Sequence, residues 1–146
     1  MTTPLRPAEM AALHAAAFAD SRPWSEAEIA DLLSQPTVQA ASTPYGFALL
    51  QIIAPDAELL TIAVAPDHQG KGYGRTLLHQ AMATARALAA TSLFLEVDAE
   101  NTRACALYAA AGFTRSGLRR GYYAHADGHR SDALMLRVAL GPKPPA

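Results

Sequence analysis

The sequence has little of what builds crosslinks and metal centres. Among its 146 residues there is one cysteine, Cys105, which cannot form an internal disulfide. The five histidines have no partner cysteines at the spacing of a zinc site. We therefore expect neither a disulfide framework nor a metal.

Neither sign of charge predominates. Twelve Lys and Arg residues stand against thirteen Asp and Glu residues, and the formal net charge is -1. Non-specific binding to nucleic acid needs a broad excess of positive charge. The composition thus predicts a protein without direct contact to nucleic acid.

Long apolar runs are also missing. No stretch approaches the roughly 18 to 20 residues that span a bilayer. The opening M-T-T-P-L-R-P lacks a charged start followed by an apolar core. We therefore expect a cytoplasmic protein with no membrane partner.

Hydrophobic residues, by contrast, make up 51% of the chain, enough for a continuous core. Its length fits one compact domain, which we place at residues 1–140. The ending G-P-K-P-P-A, residues 141–146, is too rich in proline to form regular structure and is predicted to be a flexible tail.

The first third of the chain predicts two helices. Apolar residues at helical spacing over residues 7–19, behind Pro7, indicate the first. Ser25 with Glu28 three positions later is a capping box, so a second helix is predicted from about Glu26 to Ser34.

Strand patterns follow these helices. Residues 37–42 and 45–53 predict an antiparallel hairpin. The run E-L-L-T-I-A-V at residues 58–64 has few polar breaks, as is typical of a central strand covered on both faces.

Three glycines occur within Q-G-K-G-Y-G, residues 69–74, between this strand and a stripe of apolar residues at helical spacing. The stripe comprises Leu77, Leu78, Ala81, Met82, Ala85, Leu88 and Ala89. A glycine-rich turn from strand to helix presents several backbone N–H groups and the positive end of the helix dipole, which favours a phosphate. The spacing fits neither a Walker loop nor a dinucleotide fingerprint. A tight turn of left-handed glycines is the alternative.

The second half predicts a strand at S-L-F-L-E-V, residues 92–97, with both faces covered. A helix should follow, with Asn101 as its N-cap and Gly112 as its stop. Two further strands are predicted at 113–123 and 132–139. The whole is therefore an α/β fold with a mixed sheet.

Two sequence blocks carry a family resemblance. V-A-P-D-H-Q-G-K-G-Y-G-R-T-L-L resembles the acetyl-coenzyme A (acetyl-CoA) signature Q/R-x-x-G-x-G/A of the GCN5-related N-acetyltransferase (GNAT) superfamily, with Gln69, Gly72 and Gly74 at its fixed positions. L-E-V-D-A-E-N-T-R-A-C-A-L-Y-A-A-A-G-F is similar to the bacterial ribosomal-protein-alanine N-acetyltransferases in the same superfamily. With R-P-W-S and R-R-G-Y-Y-A-H-A-D-G-H-R-S-D-A-L-M-L, the similarity extends from about Phe18 to Leu136. It implies the GNAT fold, a mixed central sheet flanked by helices on both faces.

The resemblance implies acetyl-CoA as co-substrate. Main-chain groups of the strand before the loop would contact its pantetheine arm and thioester, and loop amides would hold its pyrophosphate. Asn101 would contact the coenzyme arm. The implied strand and loop residues are Ile62, Ala63, Val64, Gln69, Gly70, Lys71, Gly72, Tyr73, Gly74 and Arg75.

Glu96 stands out from the residue pattern, because a carboxylate in a covered strand is costly to bury unless it is paired or functional. A salt bridge at a fraying strand end is the alternative. The resemblance makes Glu96 the general base and Tyr108 the proton donor to the departing thiolate. It also places Tyr122 and Tyr123 in the acceptor cleft, whereas packed aromatic residues are the alternative for all three tyrosines.

Two nearby residues are interpreted as structural. Cys105 shares a helical face with Asn101 and Tyr108 but has no motif histidine beside it, so packing is favoured over a nucleophile. His68, beside the glycine loop, is expected to be an exposed turn residue.

The acceptor follows partly from acid–base chemistry. An α-amino group has a pKa near 7.7 to 8.0 and lysine one near 10.4, so a carboxylate base favours a protein N-terminus. The resemblance predicts the N-terminal alanine of a small-subunit ribosomal protein. A small-molecule amine acceptor and a non-catalytic acetyl-CoA-binding module are the alternatives. Members of the superfamily can act as monomers, and the sequence itself indicates no oligomeric state.

Overall fold

The computed structural model describes residues 4–19 and 22–142. Its elements in chain order are α1 (Pro7–Ala17), α2 (Glu26–Leu33), β1 (Val38–Thr43), β2 (Gly46–Ile53), β3 (Asp56–Val64), a 3-10 turn (Pro66–His68), α3 (Tyr73–Ala87), β4 (Ser92–Asp98), α4 (Thr102–Ala110), β5 (Thr114–Ala124) and β6 (Arg130–Ala139). The predicted tail lies outside the described residues from position 143 onward. Among the described helices, none has the length and apolarity needed to cross a bilayer.

Six strands form one mixed sheet in the order β1-β2-β3-β4-β6-β5. All neighbours are antiparallel except β3 and β4, which run parallel. Helices cover both faces, because α3 and α4 pack into one apolar cluster with Leu93 and Leu95, and α1 and α2 pack into another with Phe47 and Leu49. The predicted mixed sheet between two helical layers is confirmed.

Local capping defines α2 as its sequence predicts. The Ser25 hydroxyl accepts the Glu28 N–H at 3.1 Å, and the Glu28 carboxylate accepts the Ser25 N–H at 3.1 Å. Arg22 donates to both oxygens of Glu28, at 2.7 and 3.0 Å. Just before the helix, Trp24 stacks on His14 with 4.8 Å between ring centroids. This pairing joins the start of α2 to α1.

The strands β3 and β4 separate soon after they begin. They are paired only from Asp56–Glu58 to Ser92–Phe94, although β3 continues to Val64 and β4 to Asp98. Leu60 has no partner on β2, because Leu59 and Thr61 pair with consecutive residues there. Such a bulge bends its strand. A gap therefore opens between the carboxyl ends of two parallel strands, where α/β sheets commonly bind ligands.

Two packing predictions were wrong. The apolar stripe of α3 ends at Ala85, because the helix stops at Ala87, Leu88 is exposed and Ala89 adopts a left-handed φ of 72°. On β4, the residues Leu93, Leu95 and Val97 are buried, but the opposite face, which carries Glu96, is only half-buried. The opening beside β3 leaves that face partly accessible to solvent.

Candidate active site

A cleft of about 490 Å³ lies where β3 and β4 separate. Its walls come from the end of α1, the end of β3 with the following loop, and the start of α4. The lining residues are Ala17, Phe18, Ile62, Ala63, Val64, Gln69, Gly70, Gly72, Gly74, Arg75, Asn101, Arg103, Ala104 and Leu107. Nine of the residues expected to bind the coenzyme are therefore brought together here.

The glycine loop is built to approach an anion. Gly70 and Gly72 have φ angles of 78° and 90°, a region that favours glycine. Gly72 is the N-cap of α3, so the N–H groups of the first turn, from Tyr73, have no partner within the helix. These amides and the helix dipole point toward the cleft end that the loop forms.

Gln69 has a structural task that the sequence did not reveal. Its side-chain amide donates to the Val64 carbonyl oxygen at 3.0 Å. The signature glutamine thus fastens the loop to the end of β3, besides lining the cleft. Since the Val64 carbonyl is engaged by this contact, the other main-chain groups at the end of β3 are the ones open to a ligand.

Positive charge gathers around the loop. Arg75 lines the cleft from α3 and Arg103 from α4. A Cβ placed on Gly70 would lie 3.1 Å from the Arg103 Nη1 atom, so the guanidinium rests directly against the loop. Lys71 is exposed on the same loop. Arg103 was missed by the sequence analysis, although a cation on the first turn after Asn101 is a usable signal for a phosphate.

His68 differs from expectation, and Tyr73 packs beside it. The prediction that His68 is an exposed turn residue was wrong, because it is half-buried beneath Tyr45, with 3.7 Å between ring centroids and a 9° angle between ring planes. Tyr73 packs edge-on against Tyr45 at 5.2 Å. The β1–β2 turn supplies Tyr45, and this stack packs against residues on both sides of the glycine loop.

Asn101 performs its predicted local role and also reaches the cleft. Its Oδ1 accepts the Ala104 N–H at 3.1 Å, which caps α4. One turn further on, Cys105 is half-buried, and its Sγ lies 3.7 Å from the Asp98 carbonyl oxygen. Burial, with the nearby Asp98 charge, raises the pKa of the Cys105 thiol. A protonated thiol is a poor nucleophile, which supports a packing role.

Glu96 lies on β4 beyond the part paired with β3. Its side chain is 24% exposed, and its Oε1 lies 3.3 Å from the Arg119 Nη2 atom on β5. The ion pair that was the alternative for this residue is therefore present, and the carboxylate is also partly accessible, which the expectation of a covered strand did not include. On β3, in the segment that is paired with β4, burial together with the Glu96 charge raises the pKa of Glu58.

The pKa values of the Tyr108 and Tyr123 phenols are both raised. Burial raises the pKa of Tyr123 to about 12, and the charge of Glu96 contributes to the rise. Burial also raises the pKa of Tyr108, with smaller contributions from Cys105 and Tyr123. Tyr122 is 48% exposed and packs against both Arg119 and Tyr123.

The cleft also includes α1, which no motif indicated. Ala17 and Phe18 lie at the end of that helix and form part of the wall. Their residue types are ordinary for a helix that packs on a sheet, so only the tertiary arrangement identifies them. Ala104 and Leu107 on α4 were missed for the same reason.

Comparison with known proteins identifies the family to which the chain is similar. The model of the acetyltransferase (GNAT) family matches residues 8–113. The ribosomal protein bS18-alanine N-acetyltransferase of Escherichia coli K12 is 36% identical over 134 residues, which cover 89% of this chain and 90% of that protein. The N-alpha-acetyltransferase RimI of Mycobacterium tuberculosis is 35% identical over 122 residues, 77% of this chain and 75% of that protein.

Solved structures agree. The crystal structure of the ribosomal-protein-S18-alanine N-acetyltransferase from Escherichia coli superimposes with a TM-score of 0.80 at 32% identity. The match covers 90% of this chain and 85% of that one. The chain therefore belongs to the GNAT family of acetyltransferases, as its two sequence blocks predicted.

Proposed function

We propose that this enzyme transfers the acetyl group of acetyl-CoA to the α-amino group of a protein N-terminus, the N-terminal alanine of a small-subunit ribosomal protein. The observation that carries the proposal is the cleft beside the end of β3, which the glycine loop and its nearby arginines line, where β3 has separated from the strand that carries Glu96. Relatives named as bS18-alanine N-acetyltransferases over nearly the whole chain support the choice of acceptor.

The cleft residues suit the coenzyme. Loop amides from Gly70 to Arg75, with the Arg75 and Arg103 guanidinium groups, would hold its phosphates. Main-chain groups at Ile62 and Ala63, on the part of β3 that has left β4, would hold the pantetheine arm. Bound there, the coenzyme supplies an activated thioester.

Glu96 is proposed to remove the proton from the acceptor ammonium group, directly or through one water. Its partial exposure lets an acceptor reach it, and Arg119 holds the carboxylate in place. An α-amino group needs less driving force to lose a proton than a lysine does, because its pKa is lower. The base therefore suits an N-terminal acceptor.

Tyr108 is proposed to protonate the departing thiolate. Its raised pKa keeps the phenol protonated until that moment. The same apolar surroundings disfavour a thiolate as well as a phenolate. Burial of both groups therefore leaves the proton transfer between them without a net penalty. Tyr122 and Tyr123, on β5 next to Glu96, are proposed to line the acceptor side.

The test compares peptides and carboxylate variants. We expect thiol release with a peptide that begins with alanine, and little release with an N-terminally blocked peptide that carries an internal lysine. Glu96→Gln should lower kcat by on the order of 100-fold or more, the usual effect of removing a general base. Glu58→Gln neutralises a carboxylate on the neighbouring strand β3, so it is the matched control and should have a much smaller effect.

Coenzyme binding by calorimetry separates the outcomes. Turnover of a small amine such as a polyamine, without turnover of the alanine peptide, would replace the proposed acceptor. Tight coenzyme binding without turnover of any amine would indicate a non-catalytic module. Equal loss in both carboxylate variants would remove Glu96 from its proposed role.

A further inference from the structure

The turn between β5 and β6 brings two histidines face to face. The His125 N–H donates to the His129 carbonyl at 3.0 Å, and the Gly128 N–H donates to the His125 carbonyl at 3.0 Å, with Gly128 at a φ of 92°. This is a three-residue hairpin loop closed by a left-handed glycine. His125 and His129 are therefore direct cross-strand partners on one face. Their rings stack with 4.1 Å between centroids and 1° between planes.

Carboxylates from the β4–α4 connection face the two rings. The Glu100 Oε1 atom lies 2.8 Å from His129 Nε2 and 4.0 Å from His125 Nε2. The Asp98 Oδ2 atom lies 3.1 Å from His125 Nε2. The ligand atoms of Glu100, His125 and His129 all fall within 4.8 Å of one another. Tetrahedral zinc with bonds of about 2.0 to 2.1 Å holds its ligand atoms roughly 3.3 Å apart, a value inside this range.

Asp127 also orients the His129 ring, from the side of the ring that carries Nδ1. Its Nδ1 is hydrogen-bonded to the Asp127 carboxylate, which can only accept, so Nδ1 carries the proton. The Glu100 and Asp127 carboxylates raise the pKa of His129 to about 9, so Nε2 is also protonated and must lose its proton before it can bind zinc. A carboxylate behind a ligating histidine is the usual support of a metal-bound imidazole.

The charge of the cluster favours a cation. Asp98, Glu100 and Asp127 surround the two imidazoles, so that three carboxylates face two rings. The His125 side chain is 13% exposed and those of His129 and Glu100 are 44% and 54% exposed. An ion can therefore enter from solvent without any change in the core.

We propose that this turn binds one zinc ion through the Nε2 atoms of His125 and His129 and the carboxylate of Glu100. Imidazole and carboxylate ligands at these spacings suit zinc among the common divalent metals. The ion would join the β5–β6 turn to the start of α4, one residue before Asn101. The proposal is independent of the acetyl-transfer chemistry.

The expectation of no metal rested on the lack of cysteine partners and on the reading that no two histidines lie four residues apart. That reading was wrong, because His125 and His129 have this spacing. The carboxylates come from a segment that only the fold brings near. Existing contacts compete with the ion, because Ser131 Oγ lies 2.6 Å and Asp98 Oδ2 lies 3.1 Å from His125 Nε2. The hydroxyl must turn aside for zinc to bind there. One of the two stacked rings must also rotate, because zinc lies in the plane of each imidazole that binds it.

The test uses the full chain without an affinity tag, stripped by a chelator. We expect calorimetry to show one zinc per chain, and zinc to raise the unfolding temperature, since a ligand that binds only the folded state stabilises it. His129→Gln and Glu100→Gln should each abolish the shift. Asp127→Asn should weaken zinc binding by about 10- to 100-fold. Ser131→Ala should bind zinc at least as tightly as the wild type.

His79→Gln is the matched control, because His79 is an exposed histidine on α3, and it should bind zinc as the wild type does. The proposal is overturned if zinc leaves the unfolding temperature unchanged, or if His129→Gln and Glu100→Gln bind zinc like the wild type. Circular dichroism of the metal-free variants establishes that they fold. An X-ray absorption spectrum without two imidazole ligands would also overturn it.

Discussion

At the scale of single residues, the burial of a tyrosine, and not its residue type, separates the proposed proton donor from the other tyrosines. The chain has five tyrosines. Tyr108 is 5% exposed and electrostatically linked through Tyr123 to Glu96, whereas Tyr45 and Tyr122 are exposed. A phenol that is buried beside the reaction site keeps its proton over a wider pH range than one in water.

Replacing Tyr108 by phenylalanine tests this distinction. The ring stays in the core while the proton donor is lost, so kcat should fall by on the order of 100-fold with coenzyme affinity retained. Because the pKa of Tyr108 is raised, the wild-type rate should show no loss from its ionisation below about pH 10. Steady-state rates across pH, with Tyr45→Phe as control, provide the measurement. A kcat equal to that of the wild type would exclude Tyr108 as the donor.

Residue patterns could indicate Glu96 but not its role. A carboxylate inside an apolar strand is visible in the sequence, and both explanations for it, an ion pair and a functional group, fit the pattern. The structure contains an ion pair with Arg119 as well as an accessible carboxylate. The assignment of Glu96 as the general base rests on the family resemblance and not on the spacing of residues in the strand.

At the scale of elements, the helix starts show how local signals act. The capping box of α2 is closed by Glu28, whose pKa is lowered from 4.5 to about 2, first by the hydrogen bond from Arg22 and then by the Ser25 amide. The folded state therefore prefers the charged carboxylate. Its stabilising effect is fully present above about pH 4.5 and is lost as pH falls toward 2.

Glu28→Gln should isolate the charge, since glutamine can still accept the Ser25 N–H and preserve the capping box. We expect a lower unfolding temperature than wild type at pH 7, and a difference that shrinks between pH 5 and pH 3. Thermal unfolding of both proteins at several pH values checks this. A difference that stays constant with pH would show that the ion pair with Arg22 contributes nothing.

Elements defined by neighbouring residues were predictable, and those defined by distant contacts were not. The capping box, the Asn101 cap and the β1–β2 hairpin follow from local signals. Leu88 was assigned to the core by periodicity alone, although the helix ends before it. The burial of His68 depends on Tyr45, which belongs to the turn between β1 and β2. No rule of sequence spacing identifies this partner.

At the scale of the whole molecule, coenzyme binding and stability are linked. A ligand at 100 times its dissociation constant stabilises the fold by about 2.7 kcal/mol. For a chain of this size that corresponds to an increase in unfolding temperature of roughly 5 to 11 °C. Coenzyme A should produce such a shift if the cleft is its site.

Two glycines offer a matched pair for this measurement. Gly72 and Gly128 have nearly equal φ angles, 90° and 92°, and neither has an atom within 4 Å of an added Cβ. Alanine at either position should destabilise the protein by about 1 to 2 kcal/mol through backbone strain. Only Gly72→Ala should also weaken coenzyme binding, by on the order of 10-fold, because it displaces the loop amides. Equal coenzyme affinity in both variants would show that the loop does not bind the coenzyme.

The early separation of β3 and β4 has a mechanical consequence. The loop proposed to grip the coenzyme phosphates follows β3, whereas Glu96, Tyr108 and Tyr123 belong to β4, α4 and β5. Only three residue pairs join the two strands. A small rotation about those three pairs would move Glu96 and Tyr108 relative to the loop. It would also move Arg103, which belongs to α4 but rests against the loop, so that coenzyme binding and the placement of the proposed catalytic groups would change together.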